Sequence, residues 1–129
     1  MPLSFFLFGD AVTKRGPVRN VFNAFPSFQR VSDARCVAEA DQRLRESRFD
    51  VAVVDLDADG GPEVLQKIRK DTRHCHIPVV GLSWECQGPR VEHLLTGGLD
   101  SVVIKPVEPK ALQGELDYIV GPATGKVRR

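Results

Sequence analysis

Four polar residues stand where apolar runs end. Asp10 follows the run from Leu3 to Gly9, and Asp55 closes Val51-Ala52-Val53-Val54. Ser83 follows Ile77-Pro78-Val79-Val80-Gly81-Leu82, and Lys105 follows Ser101-Val102-Val103-Ile104. Brought together, two carboxylates repel unless a cation or a shared proton offsets the charge, and a hard cation such as Mg²⁺ is the usual partner of oxygen-only donors. A lysine ammonium adds a positive charge, and a serine hydroxyl adds a directional donor. Nucleophile, metal, cation and donor are what a phosphoryl group in transfer requires, so transfer to an aspartate is the chemistry this set suggests.

Such a set works only if the chain folds its ends onto one rim. The apolar stretches at 3–9, 28–31, 49–55, 77–82 and 101–104 are short and β-branched or aromatic, the pattern of strands buried on both faces. Between them lie helical spacings. Pro17 suits a first turn, with Val18, Val21, Phe22 and Phe25 on one face until Pro26. Ser32 or Asp33 is placed to cap a second helix with Val37, Ala40 and Leu44 as its stripe, ending near Arg48. Pro62 opens a third with Val64, Leu65 and Ile68, and a fourth runs from Gln87 to Thr96 before Gly97-Gly98. Pro109 starts a fifth carrying Leu112, Leu116 and Ile119, ending at Gly121-Pro122. Strands alternating with helices over short connections predict an α/β fold with an open parallel sheet covered on both faces. In such sheets chemistry gathers beyond the carboxyl ends of the strands, which is where the four polar residues fall.

The chain has 129 residues, the size of one domain. With 42% hydrophobic and 27% charged residues it has the composition of a globular protein with a core. No apolar run reaches bilayer length and the N-terminus lacks a basic leader, so a cytoplasmic protein without membrane contact is expected. Eighteen Lys and Arg against 17 Asp and Glu supply no basic footprint for nucleic acid. Cys36, Cys75 and Cys86 lack paired spacing and read as reduced thiols. His74-Cys75-His76 alternates toward opposite sides with no further ligand placed by spacing, so a structural role is preferred over a metal. Cys86 is expected to be a passive loop thiol, and Lys126, Arg128 and Arg129 a solvated basic end.

The stretches Phe49–Asp55, Ile77–Ser83 and above all Gly98-Leu99-Asp100-Ser101-Val102-Val103-Ile104-Lys105-Pro106 make the chain resemble a bacterial two-component response-regulator receiver domain over about residues 3–120. The resemblance implies a flavodoxin-like (CheY-like), doubly wound, five-stranded parallel sheet of order 2-1-3-4-5. It implies Asp55 as phosphoacceptor, Ser83 as switch hydroxyl and Lys105 as the phosphate-pairing lysine. It assigns a Mg²⁺ site to Asp10, Asp55 and the main-chain carbonyl of Asp57. The partners implied are a histidine kinase or phosphotransfer protein and a downstream effector or fused output domain, with homodimers formed through the face of the fourth helix, fifth strand and fifth helix. Enzyme activity would be limited to the domain's own phosphorylation and dephosphorylation. Residues 1–120 are assigned to the receiver and 121–129 to a tail or linker stub, leaving no output domain within the chain: it binds others directly or is the front piece of a longer regulator.

Four departures accompany the matches. Receivers carry two adjacent acids after the first strand, whereas Gly9-Asp10-Ala11 holds one, so Mg²⁺ is expected to be weakly held or lost. The loop from Asp55 to Gly61 is shorter by about two residues than the family's, with Asp57 and Asp59 available to supply a replacement carboxylate. Bulky Trp84 follows the hydroxyl where the family prefers a small residue, implying restricted access for a kinase histidine. Val102 stands in place of the aromatic that swings inward on phosphorylation. These departures keep a second reading open, a degenerate receiver acting as a phosphorylation-independent interaction or dimerisation module. A flavodoxin-like enzyme or nucleotide binder fits the architecture too, but no strand-to-helix turn carries a Gly-rich phosphate cradle.

Overall fold

Alternation along the first strand, β1 (Leu3–Phe8), sorts the interior into two cores. Side chains of a strand point alternately to its two faces. Phe6 and Phe8 therefore join Ala40, Leu44, Leu65 and Ile68 on one side. Phe5 and Leu7 join Val53, Leu82, Leu112 and Leu116 on the other. All four β1 residues are fully buried. A run of four apolar residues, pointing alternately to the two sides, is what a sheet covered on both faces demands.

The computed structural model describes residues 3–9, 28–85 and 87–120. After β1 come β2 (Phe28–Ala34), α1 (Val37–Glu46), β3 (Val51–Asp55), α2 (Gly61–Lys70), β4 (Val79–Ser83), α3 (Pro89–Thr96), β5 (Ser101–Ile104) and α4 (Pro109–Val120). The strands form one parallel sheet in the order β2-β1-β3-β4-β5, as the resemblance implied. α1, α2 and Leu94 of α3 cover one face, and α4 packs on the other. The predicted helix from Pro17 to Phe25, Asp10, Cys86 and the segment from Gly121 onward lie outside the described residues.

Element ends moved where pairing or capping decided them. β2 runs to Ala34 rather than Val31, because Ser32, Asp33 and Ala34 continue the ladder beside Phe6, Leu7 and Phe8. Ser32 and Asp33 are thus strand residues, and the helix expected to start at them begins at Val37 and ends at Glu46. Its cap position, Cys36, offers no side-chain bond; instead Glu39 of the first turn reaches back to accept the amide of Arg35, the residue before the cap, at 2.9 Å. β3 and β4 each begin two residues later than their apolar runs, and α3 starts at Pro89, after Gly88.

At the amino ends of the strands, Arg69 of α2 ties the incoming loops together. Its guanidinium donates to the carbonyls of Gly98, Cys75 (3.1 Å) and Ile77 (2.7 Å) and to the Asp100 carboxylate at 2.9 Å. Asp100 in turn accepts the Val79 amide at 2.7 Å. His74, fully buried, accepts the Phe49 amide on Nε2 at 3.1 Å, and its Nδ1 bonds Asp71 at 3.0 Å. With both ring nitrogens engaged, the imidazole is a structural cross-link.

Candidate functional site

The register brings the strand ends level: Asp55 lies beside Leu82, and Ser83 beside Ile104. Asp55 is 4% exposed and Ser83 fully buried. Lys105, just past β5, sends its ammonium to Asp55 Oδ1 at 2.7 Å and to Asp57 Oδ2 at 3.3 Å. The Asp57 amide donates to the same Asp55 oxygen at 3.0 Å. The peptide bond between Lys105 and Pro106 is cis. Of the residues singled out from the sequence, Asp55, Asp57, Ser83 and Lys105 converge on one rim; Asp10 lies outside the described residues.

Ser83 meets Asp55 through an intermediary. Its hydroxyl donates to Asp57 Oδ1 at 3.2 Å and accepts the Glu85 amide at 3.1 Å. The other Asp57 oxygen accepts the Trp84 amide at 2.9 Å. Burial alone raises the Asp57 pKa, but the Trp84 amide, the hydrogen bond and charge of Lys105, and the Ser83 hydroxyl outweigh it and hold the carboxyl below its usual value. The carboxylate that the sequence offered as a replacement metal acid is therefore turned toward the ends of β4 and β5.

Close packing at two glycines shapes the rim. Gly9 has φ +100°, and a β-carbon on it would come 2.5 Å from that of Asp55, so no side chain fits there without displacing Asp55. The short loop after β3 closes through Ala58 and Gly61 amides bonded to the Asp55 and Ala58 carbonyls at 3.3 and 3.0 Å. A β-carbon on Gly61 would lie 2.4 Å from the Asp55 carbonyl oxygen, so glycine lets the helix start immediately beneath the rim.

A cleft of about 410 Å³, bordered by Asp55, Asp57, Asp59, Trp84 and Lys105, opens above this rim. Its acidic oxygens suit a hard cation. Mg²⁺ keeps several waters and takes one or two carboxylates, which fits a site of this composition. Among the described residues, no group of three or more His, Cys, Asp or Glu side chains forms a cage. Asp55 Oδ2, which no described residue bonds, and the Asp57 main-chain carbonyl are the oxygens on this rim of the type Mg²⁺ takes.

Arg90 escaped the sequence reading. From the first turn of α3 it donates to the Leu56 carbonyl at 2.7 Å and lies 3.4 Å from Asp57 Oδ1, clamping the short loop. An arginine at a helix start looks like a solvated charge until the tertiary fold places the loop against it. Trp84 is 63% exposed and stacks with the Lys105 ammonium 5.8 Å from its ring centre. Val102 is packed against the core on the α1–α2 face, filling its place with a branched side chain.

The family model described as the response regulator receiver domain matches residues 6–117. Chemotaxis protein CheY1 of Helicobacter pylori is 25% identical over 116 residues, spanning 87% of this chain and 92% of that protein. Chemotaxis protein CheY-3 of Vibrio cholerae is 27% identical over 112 residues, 85% of each. Among solved structures, the phosphorylated cyanobacterial phytochrome response regulator RcpA superposes with a TM-score of 0.79 at 22% identity, over 95% of this chain and 96% of that one. The receiver domain of sensor histidine kinase PA1611 from Pseudomonas aeruginosa, with a magnesium ion coordinated in its active-site cleft, gives 0.73 at 18% identity, over 94% and 99%.

Proposed function

The chain is a member of the response regulator receiver family of two-component signalling, and from that premise we propose that it takes a phosphoryl group on Asp55 from a phosphohistidine of a histidine kinase or phosphotransfer protein. The observation that carries the reading is the nearly buried pair of Asp55 and Lys105 at 2.7 Å, with Ser83 and the amides of Asp57 and Trp84 around it.

The chemistry is an in-line displacement. An Asp55 carboxylate oxygen attacks phosphorus, the phosphorus–nitrogen bond of the donor breaks, and the leaving imidazole takes up a proton. Both bonds to Asp55 from described residues fall on Oδ1, leaving Oδ2 as the attacking oxygen. The Lys105 ammonium, the Ser83 hydroxyl and the Trp84 amide then stabilise the charge on the phosphoryl oxygens. Mg²⁺, when held by Asp55, the Asp57 carbonyl and Asp10, supplies further neutralisation of that charge.

The new dianion, of about −1.5 to −2 charge, draws Ser83 and Lys105 toward itself. Because both close strands on which α3 and α4 pack, the effect is passed to the face of α3, β5 and α4, where an effector or a second copy docks. The receiver fold is assigned to residues 1–120. Among the described residues no helix is long and apolar enough to cross a membrane.

Incubation with acetyl phosphate and Mg²⁺ should add the mass of one phosphoryl group, and Asp55→Asn should abolish it. A parent protein that gains no mass, or an Asp55→Asn variant that gains as much, overturns the assignment.

A further inference from the structure

Asp57 stands out because its carboxylate already uses donors that the proposed mechanism reserves for a phosphoryl group. Oδ2 takes the Trp84 amide at 2.9 Å and lies 3.3 Å from the Lys105 ammonium; Oδ1 takes the Ser83 hydroxyl at 3.2 Å. We propose that the Asp57 carboxylate is an internal occupant of the phosphoryl-oxygen site, an autoinhibitory contact that a phosphoryl group on Asp55 must displace. The inference rests on the reading of Asp55 as acceptor and adds a regulation that belongs to this chain's own loop.

Proton counting makes the occupancy exclusive. The Trp84 amide has one proton, and so does the Ser83 hydroxyl, whose oxygen is fixed from the other side by the Glu85 amide at 3.1 Å. Neither can serve two anions at full strength. A carboxylate and a phosphoryl dianion sharing the three donors would also repel each other in a partly covered cleft.

Displacement is local. Asp57 sits on a loop, its side chain 24% exposed, ahead of the Gly60-Gly61 step into α2, so it can rotate outward without moving a strand. The Arg90 guanidinium, 3.4 Å from Oδ1 and anchored on the Leu56 carbonyl, stays beside it as counter-ion. Removing the Asp57 side chain leaves its main-chain carbonyl and amide in place, so the donors are freed without deleting the backbone contributions to the site.

The test is a beryllofluoride titration in the presence of Mg²⁺, followed by amide proton and nitrogen shifts, on the parent, Asp57→Ala and Asp57→Asn. Losing three competing hydrogen bonds should let Asp57→Ala half-saturate at a concentration lower by about fivefold or more, with Asp57→Asn between it and the parent. Before any ligand is added, the Trp84 amide proton of Asp57→Ala should move upfield. Saturation of Asp57→Ala and the parent at equal concentration, or weaker binding by both variants, overturns the occupancy while leaving Asp55 as acceptor intact. Uptake by none of the three proteins overturns the acceptor assignment itself, and the occupancy with it. Should Asp57→Ala fail to fold, the near-isosteric Asp57→Asn decides by the same criterion.

Discussion

Lys105 and Asp55 form an ion pair of 2.7 Å with side chains only 11% and 6% exposed, and the same ammonium reaches Asp57 at 3.3 Å. One cation therefore neutralises two acids, one closing β3 and one in the loop that follows it. The rim is held together by that bridge, since without it two carboxylates would face each other across a partly dry cleft.

Replacing the cation should expose this dependence. Lys105→Met is expected to raise the beryllofluoride concentration needed for half-saturation about tenfold or more, and to lower stability by about 1–3 kcal/mol. Titration by amide shifts and urea unfolding measure the two effects. Unchanged uptake would remove Lys105 from the oxyanion-stabilising role.

The glycine before Asp10 is a second sensitive point. Gly9→Ala places a β-carbon against Asp55 and forces φ +100° on a residue that disfavours it, so a loss of about 1–3 kcal/mol is expected in urea unfolding. Gly9→Asp, which restores the acid pair usual in the family, should lose at least as much, and a stable Gly9→Asp protein would show that the strand end yields more readily than its packing implies.

Arg69 lies at the opposite end of the sheet, so its removal separates stability from chemistry. Arg69→Met removes this donor from the carbonyls of Gly98, Cys75 and Ile77 and from the Asp100 carboxylate, which keeps the Val79 amide. A loss of about 2–4 kcal/mol is expected, with phosphoryl uptake by the folded fraction unchanged. A mild loss with reduced uptake would contradict the division.

Asp71 gives the pH dependence. Burial raises its pKa, but the Arg73 amide, the His74 ring and the Arg73 charge outweigh this and hold the carboxyl below its usual value. A carboxyl depressed in the folded state adds stability that is present above its unfolded pKa and is lost as pH falls through the lower, folded one. The stability gap between parent and Asp71→Asn should accordingly be widest near neutrality and close in acid. Urea midpoints across that range test it, and a gap that widens on acidification would reverse the sign.

Much of this was legible because strand ends announce themselves. Asp55, Ser83 and Lys105 each terminate a β-branched run, and buried parallel strands leave their polar chemistry at the carboxyl edge. The sheet order followed from the family resemblance carried by those same runs. What escaped depends on contacts between distant segments. Arg69 and Arg90 look like surface charges on amphipathic helices, and only the fold sets Gly98 or Leu56 against them. The orientation of the Asp57 side chain was hidden for the same reason: the family resemblance assigned only its carbonyl, while the Trp84 amide that captures its carboxylate lies just past the end of β4. The extension of β2 to Ala34 likewise reflects partners on β1, since Ser32 and Asp33 taken alone favour a cap.

Trp84, the chain's one tryptophan, stands in solvent at the edge of the cleft with the Lys105 ammonium 5.8 Å from its ring. An indole's emission responds to a cation held over its face, and here that cation is the one paired with Asp55. Any event that draws Lys105 further over the acceptor will change the light from a single, identifiable fluorophore. The residue that departs most visibly from the family at this position thereby equips the protein with its own optical gauge of the rim.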